Sequence, residues 1–358
     1  MKILQISSAR SIGGGERHLV DLSNELTKRG HEIFVAAVAN SPLRERLKLL
    51  PAGNIREFPL RNSLDFASAL KIASFIRETN AEIINAHFAK DYPVAALAAR
   101  LTGVPFVVTR HVLFPMNGLH RFVLRQVKNV IAPSNAVAES LKRQGLFPEK
   151  KIVTIRYGLE VDQTRRTASK SHSFFSVGSI GNLDPVKGFD VLIRAAKLVL
   201  ETIPNVKFNI VGEDRSRDNR NEKELRELID ELNLGGAVEL AGWTDNVGDA
   251  LSGFDVFVSA SRSESFGFVI AESMLANVPV IATETAGAKE IISDPTLGSL
   301  VPIADARALA DAIVKLISDE KLHVELSSHG HNHIAQHFSI SKTVDETEAL
   351  YRRVIDSG

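Results

Sequence analysis

The feature that most constrains this chain is a βα alternation that runs once and then begins again. Short β-branched runs at Lys2–Ser7, His31–Val38, Ala81–Ala86, Pro105–Thr109, Val130–Ala132 and Ile152–Ile155 read as strands. Between them, Glu16–Arg29, Leu64–Thr79, Pro93–Leu101 and Asn135–Gln144 carry helical spacing. Strands joined through helices of this length form βαβ units and a largely parallel sheet. The series then restarts with strands at Phe174–Val177, Val206–Val211, Val238–Leu240, Val256–Ser259, Val280–Ala282 and Leu300–Ile303. Its helices are Phe189–Glu201, Glu222–Leu232, Phe268–Ala276 and Ala306–Ser318. One core rarely grows past about 250–300 residues, so 358 residues in two series predict two domains. Successive parallel-sheet domains leave a cleft where small molecules commonly bind. The tail Lys321–Ile355 reads as two helices broken near Phe338-Ser339, the second able to return to the first domain.

Charge divides the chain at the same place. Lysine and arginine equal aspartate and glutamate at 43 each, yet residues 1–170 carry 26 basic against 14 acidic and the remainder 17 against 29. The net of +12 turns to −12 across the polar stretch 163–172. Expected boundaries are therefore 1–165, 172–340 and a terminal helix 341–358. A basic half fits an anionic acceptor, an anionic membrane surface or a merely solvated face. Nucleic acid is not expected, because no helix-turn-helix pattern or aromatic-basic stacking surface accompanies the charge. No run of 18 apolar residues is present, so no bilayer-spanning helix is expected. The opening apolar run stops at Ser7 and reads as a strand, not a signal-peptide core. That reading, with the absence of cysteine, gives the expectation of a cytoplasmic protein.

Several segments could carry chemistry. Gly13-Gly14-Gly15-Glu16 leaves the first strand and opens a helix, as a tight turn or as a loop whose amides face an anion. It lacks the G-x-G-x-x-G dinucleotide spacing. In the second series, Gly178 and Gly181 lead to Lys187-Gly188 immediately before a helix. A lysine there is either a solvated residue or a partner for a diphosphate. The strand-loop-helix stretch Ser259–Glu272 holds Glu264 in its loop and Glu272 inside the apolar helix. Glu264 could serve only the helix N-terminus, but a buried Glu272 needs hydrogen-bonding partners, and ribose or sugar hydroxyls are such partners. His87 and His111 stand at carboxyl ends of strands, as core histidines or as site residues. His323, His329, His331, His333 and His337 have no zinc-like spacing, and no G-x-S-x-G elbow is present. In Arg110–Lys128, Arg121, Arg125 and Lys128 would share one helical face beside Phe114, Met116 and Phe122, either as an ordinary wet helix edge or as a contact for anionic lipid.

At these residues the chain resembles the retaining family 4 glycosyltransferases of GT-B fold. The resemblance runs through Gly13–Glu16, Ile131–Asn135, Tyr157–Asp162, Gly181–Gly188, Gly212-Glu-Asp214, Gly242-Trp243, Glu264 to Glu272, Pro279-Val280, Gly287 and Glu290. It implies an α/β fold of two Rossmann-like parallel-sheet domains facing across a cleft. It also implies transfer of a sugar, with retention, from a nucleotide-diphosphate sugar to a glycan or lipid-linked acceptor, with no cofactor and no essential metal. Cell-envelope polysaccharide or lipopolysaccharide is the acceptor class expected, with peripheral contact to an anionic inner membrane face. By resemblance, Glu272 binds the donor ribose, Glu264 contacts the transferred sugar or its phosphate side, and Phe266 and Gly267 offer backbone groups to its hydroxyls. Lys187 holds the diphosphate, Gly15 approaches it, and His111 lies near the reacting sugar. Three positions depart from the family pattern: Asn182 stands for a phosphate-binding arginine, and Ser265 and Asn277 stand for glycines. Asparagine cannot replace a guanidinium's charge or fork, and Arg110, Arg156 and Arg262 are the other basic candidates. A nucleotide-sugar epimerase and an inactive nucleotide-sugar-binding protein are the alternatives. The first would convert its donor without an acceptor, and the second would bind without turnover.

Overall fold

The computed structural model describes residues 1–116, 118, 120–161 and 174–357. The chain forms two units, Met1–Leu159 with Ser339–Gly358, and Glu160–Phe338. The junction expected at 165–172 lies outside the described residues. No helix among the described residues is long and apolar enough to cross a membrane.

The first unit is built on strands β1 (Lys2–Ser7), β2 (Glu32–Ala37), β3 (Ile55–Glu57), β4 (Ile83–Ala86), β5 (Phe106–Thr109), β6 (Val130–Ala132) and β7 (Ile152–Thr154). They form one parallel sheet in the order β3-β2-β1-β4-β5-β6-β7. Alternation along β1 sends Leu4 and Ile6 to a core with helices Phe66–Thr79 and Tyr92–Thr102. Ile3 faces the opposite core, closed by helices Gly14–Lys28 and Ile340–Asp356. On that second face the strands also bury polar residues, Gln5, Asn85 and Thr109. They are satisfied locally: Thr109 Oγ1 donates to Asn85 Oδ1 at 3.1 Å, and Asn85 Nδ2 donates to the Tyr351 hydroxyl at 2.9 Å. The terminal helix thus joins the sheet through a buried hydrogen bond as well as through Leu350, Tyr351 and Val354.

The edge strand β3 was not among the expected strands. Only three residues pair with β2, and only Ile55 is buried, so no alternation marks it. The stretch Arg110–Lys128 corrects a second expectation. Its helix covers only His120–Val123, a 3-10 turn follows at Leu124–Gln126, and the Lys128 N–H already donates to Phe106 O on the interior strand β5. Arg121, Arg125 and Lys128 are all exposed but share no continuous helical face, and Met116 is buried in the core. The chain must leave the helix early because Val127 and Val130 are drawn into that core.

The second unit holds strands β8 (Phe175–Ile180), β9 (Val206–Val211), β10 (Val238–Gly242), β11 (Val256–Ser259), β12 (Val280–Thr283) and β13 (Ser299–Val301). They form a parallel sheet in the order β10-β9-β8-β11-β12-β13. Its core takes the apolar stripes of helices Phe189–Thr202, Arg220–Glu231 and Ala306–Ser318. Asn277, where the resembled family has glycine, adopts φ 58° just past helix Phe268–Leu275. Asparagine is among the non-glycine residues that best tolerate this left-handed conformation, so the departure keeps the backbone it requires.

Candidate functional site

In each sheet the strand order reverses at one point, between β1 and β4 in the first unit and between β8 and β11 in the second. Loops leaving the carboxyl ends of such a pair diverge to opposite faces and open a crevice suited to a ligand. The candidate residues lie on these loops or beside them, and each unit carries its own group.

In the first unit the glycine loop follows β1, and Glu16 turns back so that its carboxylate accepts from the Gly13 N–H at 2.7 Å. Gly15 lies against His111: a Cβ there would come within 2.8 Å of the ring Cγ. Only glycine permits that approach without displacing the imidazole. His111 follows β5, and its Nε2 meets His87 Nδ1 at 2.9 Å. His87, just past β4, reaches Gln5 Oε1 through Nε2 at 2.8 Å. The other His111 nitrogen, Nδ1, meets the Tyr157 hydroxyl. The ring of His18, from the first helix, covers Tyr157 at 4.3 Å between centroids. Burial lowers the His18 pKa to about 3. Burial, then the neighbouring His18, holds His87 well below its ordinary value. For His111, burial acts first, followed by His87, His18 and Arg110. All three imidazoles are therefore neutral near pH 7.

In the second unit, Asp184 caps the short turn Pro185–Lys187, and Gly188 at φ 67° starts helix Phe189–Thr202. A Cβ on Gly188 would collide with the carbonyl oxygen of Ala260, so glycine serves both the backbone angle and the contact. This turn and the loop after β11 are tied together repeatedly. The Arg262 N–H donates to Val186 O at 2.7 Å, and its guanidinium donates to Pro185 O at 2.6 Å. The same guanidinium grips both carboxylate oxygens of Asp190 at 2.8 and 2.7 Å. Burial works to raise the Asp190 pKa, and the Arg262 hydrogen bonds outweigh it and hold the group below its ordinary value. Lys187 Nζ pairs with Glu264 Oε2 at 2.7 Å.

Glu272 stands on helix Phe268–Leu275 and is 3 % exposed. The ring of Phe266 belongs to the core, packed on Phe268 and Phe338, which leaves its backbone for any ligand contact. That backbone is itself closely backed by Gly287, whose N–H donates to Glu264 O at 3.0 Å. Gly267 connects it to the Glu272 helix. The structure thus groups Lys187, Glu264, Phe266, Gly267 and Glu272 in one unit, and Gly15 with His111 in the other.

Of the basic candidates for the missing arginine, Arg262 is committed to Asp190. Arg110 is buried in the first unit and donates to Phe114 O. Arg156 is exposed there. Among the tail histidines, His323 and His331 bond to the carbonyls of Asp255 and Leu275, and His333 packs beside His337 and Phe338. They serve helix Glu320–His337. Sequence reasoning passed over Gln5, His18 and Asp190. The first two carried a legible signal, each being polar at a position whose period points into the core.

Two Rossmann-like parallel-sheet units, with charged and glycine-rich loops at their switch points, define the GT-B class. Two family models cover most of the chain: Glycosyltransferase Family 4 over residues 12–163, and Glycosyl transferases group 1 over residues 161–333. The chain is 27 % identical to N-acetyl-alpha-D-glucosaminyl L-malate synthase of Bacillus anthracis, over 96 % of this chain and 95 % of that one. It is 29 % identical to the lipopolysaccharide core biosynthesis glycosyltransferase LpsE of Rhizobium meliloti, over 93 % and 94 %. The fold is similar to that of Anabaena Alr3699/HepE, solved with UDP and glucose, with a TM-score of 0.87 at 23 % identity over 99 % and 100 % of the chains. The chain belongs to the family 4 type of GT-B glycosyltransferases, and it is an enzyme of glycosyl transfer.

Proposed function

We propose that this enzyme moves a sugar, with retention, from a nucleoside-diphosphate sugar to a glycan or lipid-linked acceptor of the cell envelope, working on the cytoplasmic side. The observation that carries the donor half is the braced pairing of Lys187 with Glu264 at the second switch point, beside the buried Glu272 helix. In this reading the Glu272 carboxylate accepts from the ribose hydroxyls. Lys187 and the amides at the start of helix Phe189–Thr202 neutralise the diphosphate, whose charge grows as the sugar departs. Glu264 both aims Lys187 and meets the sugar, to whose hydroxyls Phe266 and Gly267 present backbone groups. His111 and the amides of Gly14 and Gly15 contribute from the first unit.

The donor class draws further support from the UDP and glucose held by the Anabaena protein of similar fold. The acceptor class draws it from the Rhizobium relative's part in lipopolysaccharide core synthesis. A screen of purified nucleotide sugars against envelope glycans tests the whole reading. Transfer with the anomeric configuration kept is expected. Donor conversion without acceptor would instead make the protein an epimerase, and nucleotide binding without any turnover would make it a binding protein. His111→Ala should lower turnover more than nucleotide affinity, and normal turnover at saturating substrates would remove His111 from the site.

A further inference from the structure

The first unit contains a continuous line of hydrogen bonds that the transfer reading does not use. It runs from Gln5 on β1 through His87 and His111 to Tyr157. The two imidazole planes lie within 7° of each other with centroids 5.1 Å apart, the separation of two rings meeting edge to edge through one N–H···N bond. Each nitrogen of both rings has a protein partner. Gln5 presents its carbonyl oxygen to His87 Nε2, which must therefore carry the hydrogen. His87 Nδ1 is then the acceptor for His111 Nε2–H, and His111 Nδ1 accepts from the Tyr157 hydroxyl. A second proton on His87 would set two N–H groups against each other, and one on His111 would force the Tyr157 hydroxyl to turn from donor to acceptor.

We infer that His87 is a positioning residue for the transfer reaction, holding His111 as a neutral imidazole with both ring nitrogens committed inside the protein. His111 then meets the substrate through its carbon edge and its backbone, as a fixed wall behind Gly15, and moves no proton. The surroundings favour this on every side. His18 from the first helix, Arg110 from the same loop and His87 itself all disfavour a charge on His111. Tyr157 lies beyond, under the field of Glu16, and keeps its own proton because burial raises its pKa well above the ordinary value.

The inference deepens the reading of His111 as a site residue and rests on it. The test joins spectra that need no substrate to kinetics that do. In the full-length protein labelled with nitrogen-15 histidine, His111 should keep one neutral tautomer from about pH 5.5 to 9, across the usual range of histidine titration. His87→Leu removes the acceptor. His111 should then lose its single fixed tautomer, and kcat should fall about tenfold or more with donor KM little changed, as expected when a group of the site is misplaced. His87→Asn, whose side-chain oxygen can stand near the lost Nδ1, should restore the single tautomer and most of the turnover. A wild-type His111 that titrates near pH 6.5, or a folded His87→Leu enzyme with unchanged kcat and an unchanged His111 tautomer, overturns the inference. Failure of the transfer reading would show differently, as no turnover in the wild type.

Discussion

Glu272 and Lys187 are both carried by the second unit, yet they meet water differently, and that difference sets what their removal should cost. Glu272 is buried, so its carboxylate is held in place before any ligand arrives. Truncation to alanine should remove a charged hydrogen-bond partner worth about 1.5–3 kcal/mol, roughly ten- to a hundredfold or somewhat more in nucleotide affinity. Calorimetry on a folded variant that bound nucleotide normally would refute the ribose assignment. Lys187 is only partly buried and is aimed by Glu264. Its removal to alanine should weaken a nucleoside diphosphate far more than the bare nucleoside. Equal losses for the two ligands would take Lys187 away from the phosphates. Asn182 supplies no charge, and Arg262 is fastened to Asp190, so in the proposed donor site Lys187 would carry more of the diphosphate than an arginine-bearing relative would ask of it.

At the scale of elements, the helix Ile340–Asp356 shows how a distant segment is locked to a fold. Arg29 reaches Glu348 at 3.0 Å and His31 reaches it at 2.7 Å. Burial works to raise the Glu348 pKa, but hydrogen bonds from His31, Arg29 and Arg352 outweigh it and bring the group to about 2. A carboxylate depressed in the folded state stabilises it above its unfolded value and loses that contribution as pH falls. Docking of this helix should therefore weaken between about pH 4.5 and 2, the span between the ordinary and folded values. Glu348→Gln should flatten that acid limb, as followed by hydrogen exchange at the amides around Tyr351. An unchanged limb would assign the acid sensitivity to other groups.

Elements differ in how plainly the sequence announces them. β1, β4 and β5 were legible because long crossovers separate apolar runs, and Glu264 to Glu272 because strand, loop and helix follow in order. β3 was not, since three residues pairing at an edge leave no period to read. The early end of helix His120–Val123 was hidden because the pull of Val127 and Val130 into the core is a tertiary effect. Gln5 and His87 sit far apart in sequence, and only register across β1 and β4 brings them together. The ties of Arg262 to Pro185 and Asp190 likewise span more than seventy residues.

For the molecule as a whole, the opposed charges of its two halves bear on where an acceptor arrives. Arg121, Arg125 and Lys128 remain exposed, with Phe114 73 % and Phe122 70 % exposed nearby in sequence. Without a shared helical face, any membrane contact rests on basic and aromatic side chains spread over a short helix, a 3-10 turn and the residues flanking them. Each basic group near an anionic surface contributes about 1 kcal/mol, so reversing all three to glutamate should visibly reduce sedimentation with anionic vesicles. No preference for anionic over neutral vesicles would end the membrane proposal and leave the charge to steer a soluble acceptor.

Helix Ile340–Asp356 has one more consequence, in time. It leaves the ribosome after the entire second unit, yet Leu350, Tyr351 and Val354 complete a core begun by Ile3 and Leu22. During synthesis the first-made sheet must wait with that face covered by helix Gly14–Lys28 alone while the second unit emerges and folds. Released chains ending at Phe338 should accordingly show a protease-resistant second unit and a more labile first one. The interval between them is a window in which a chaperone would find its substrate.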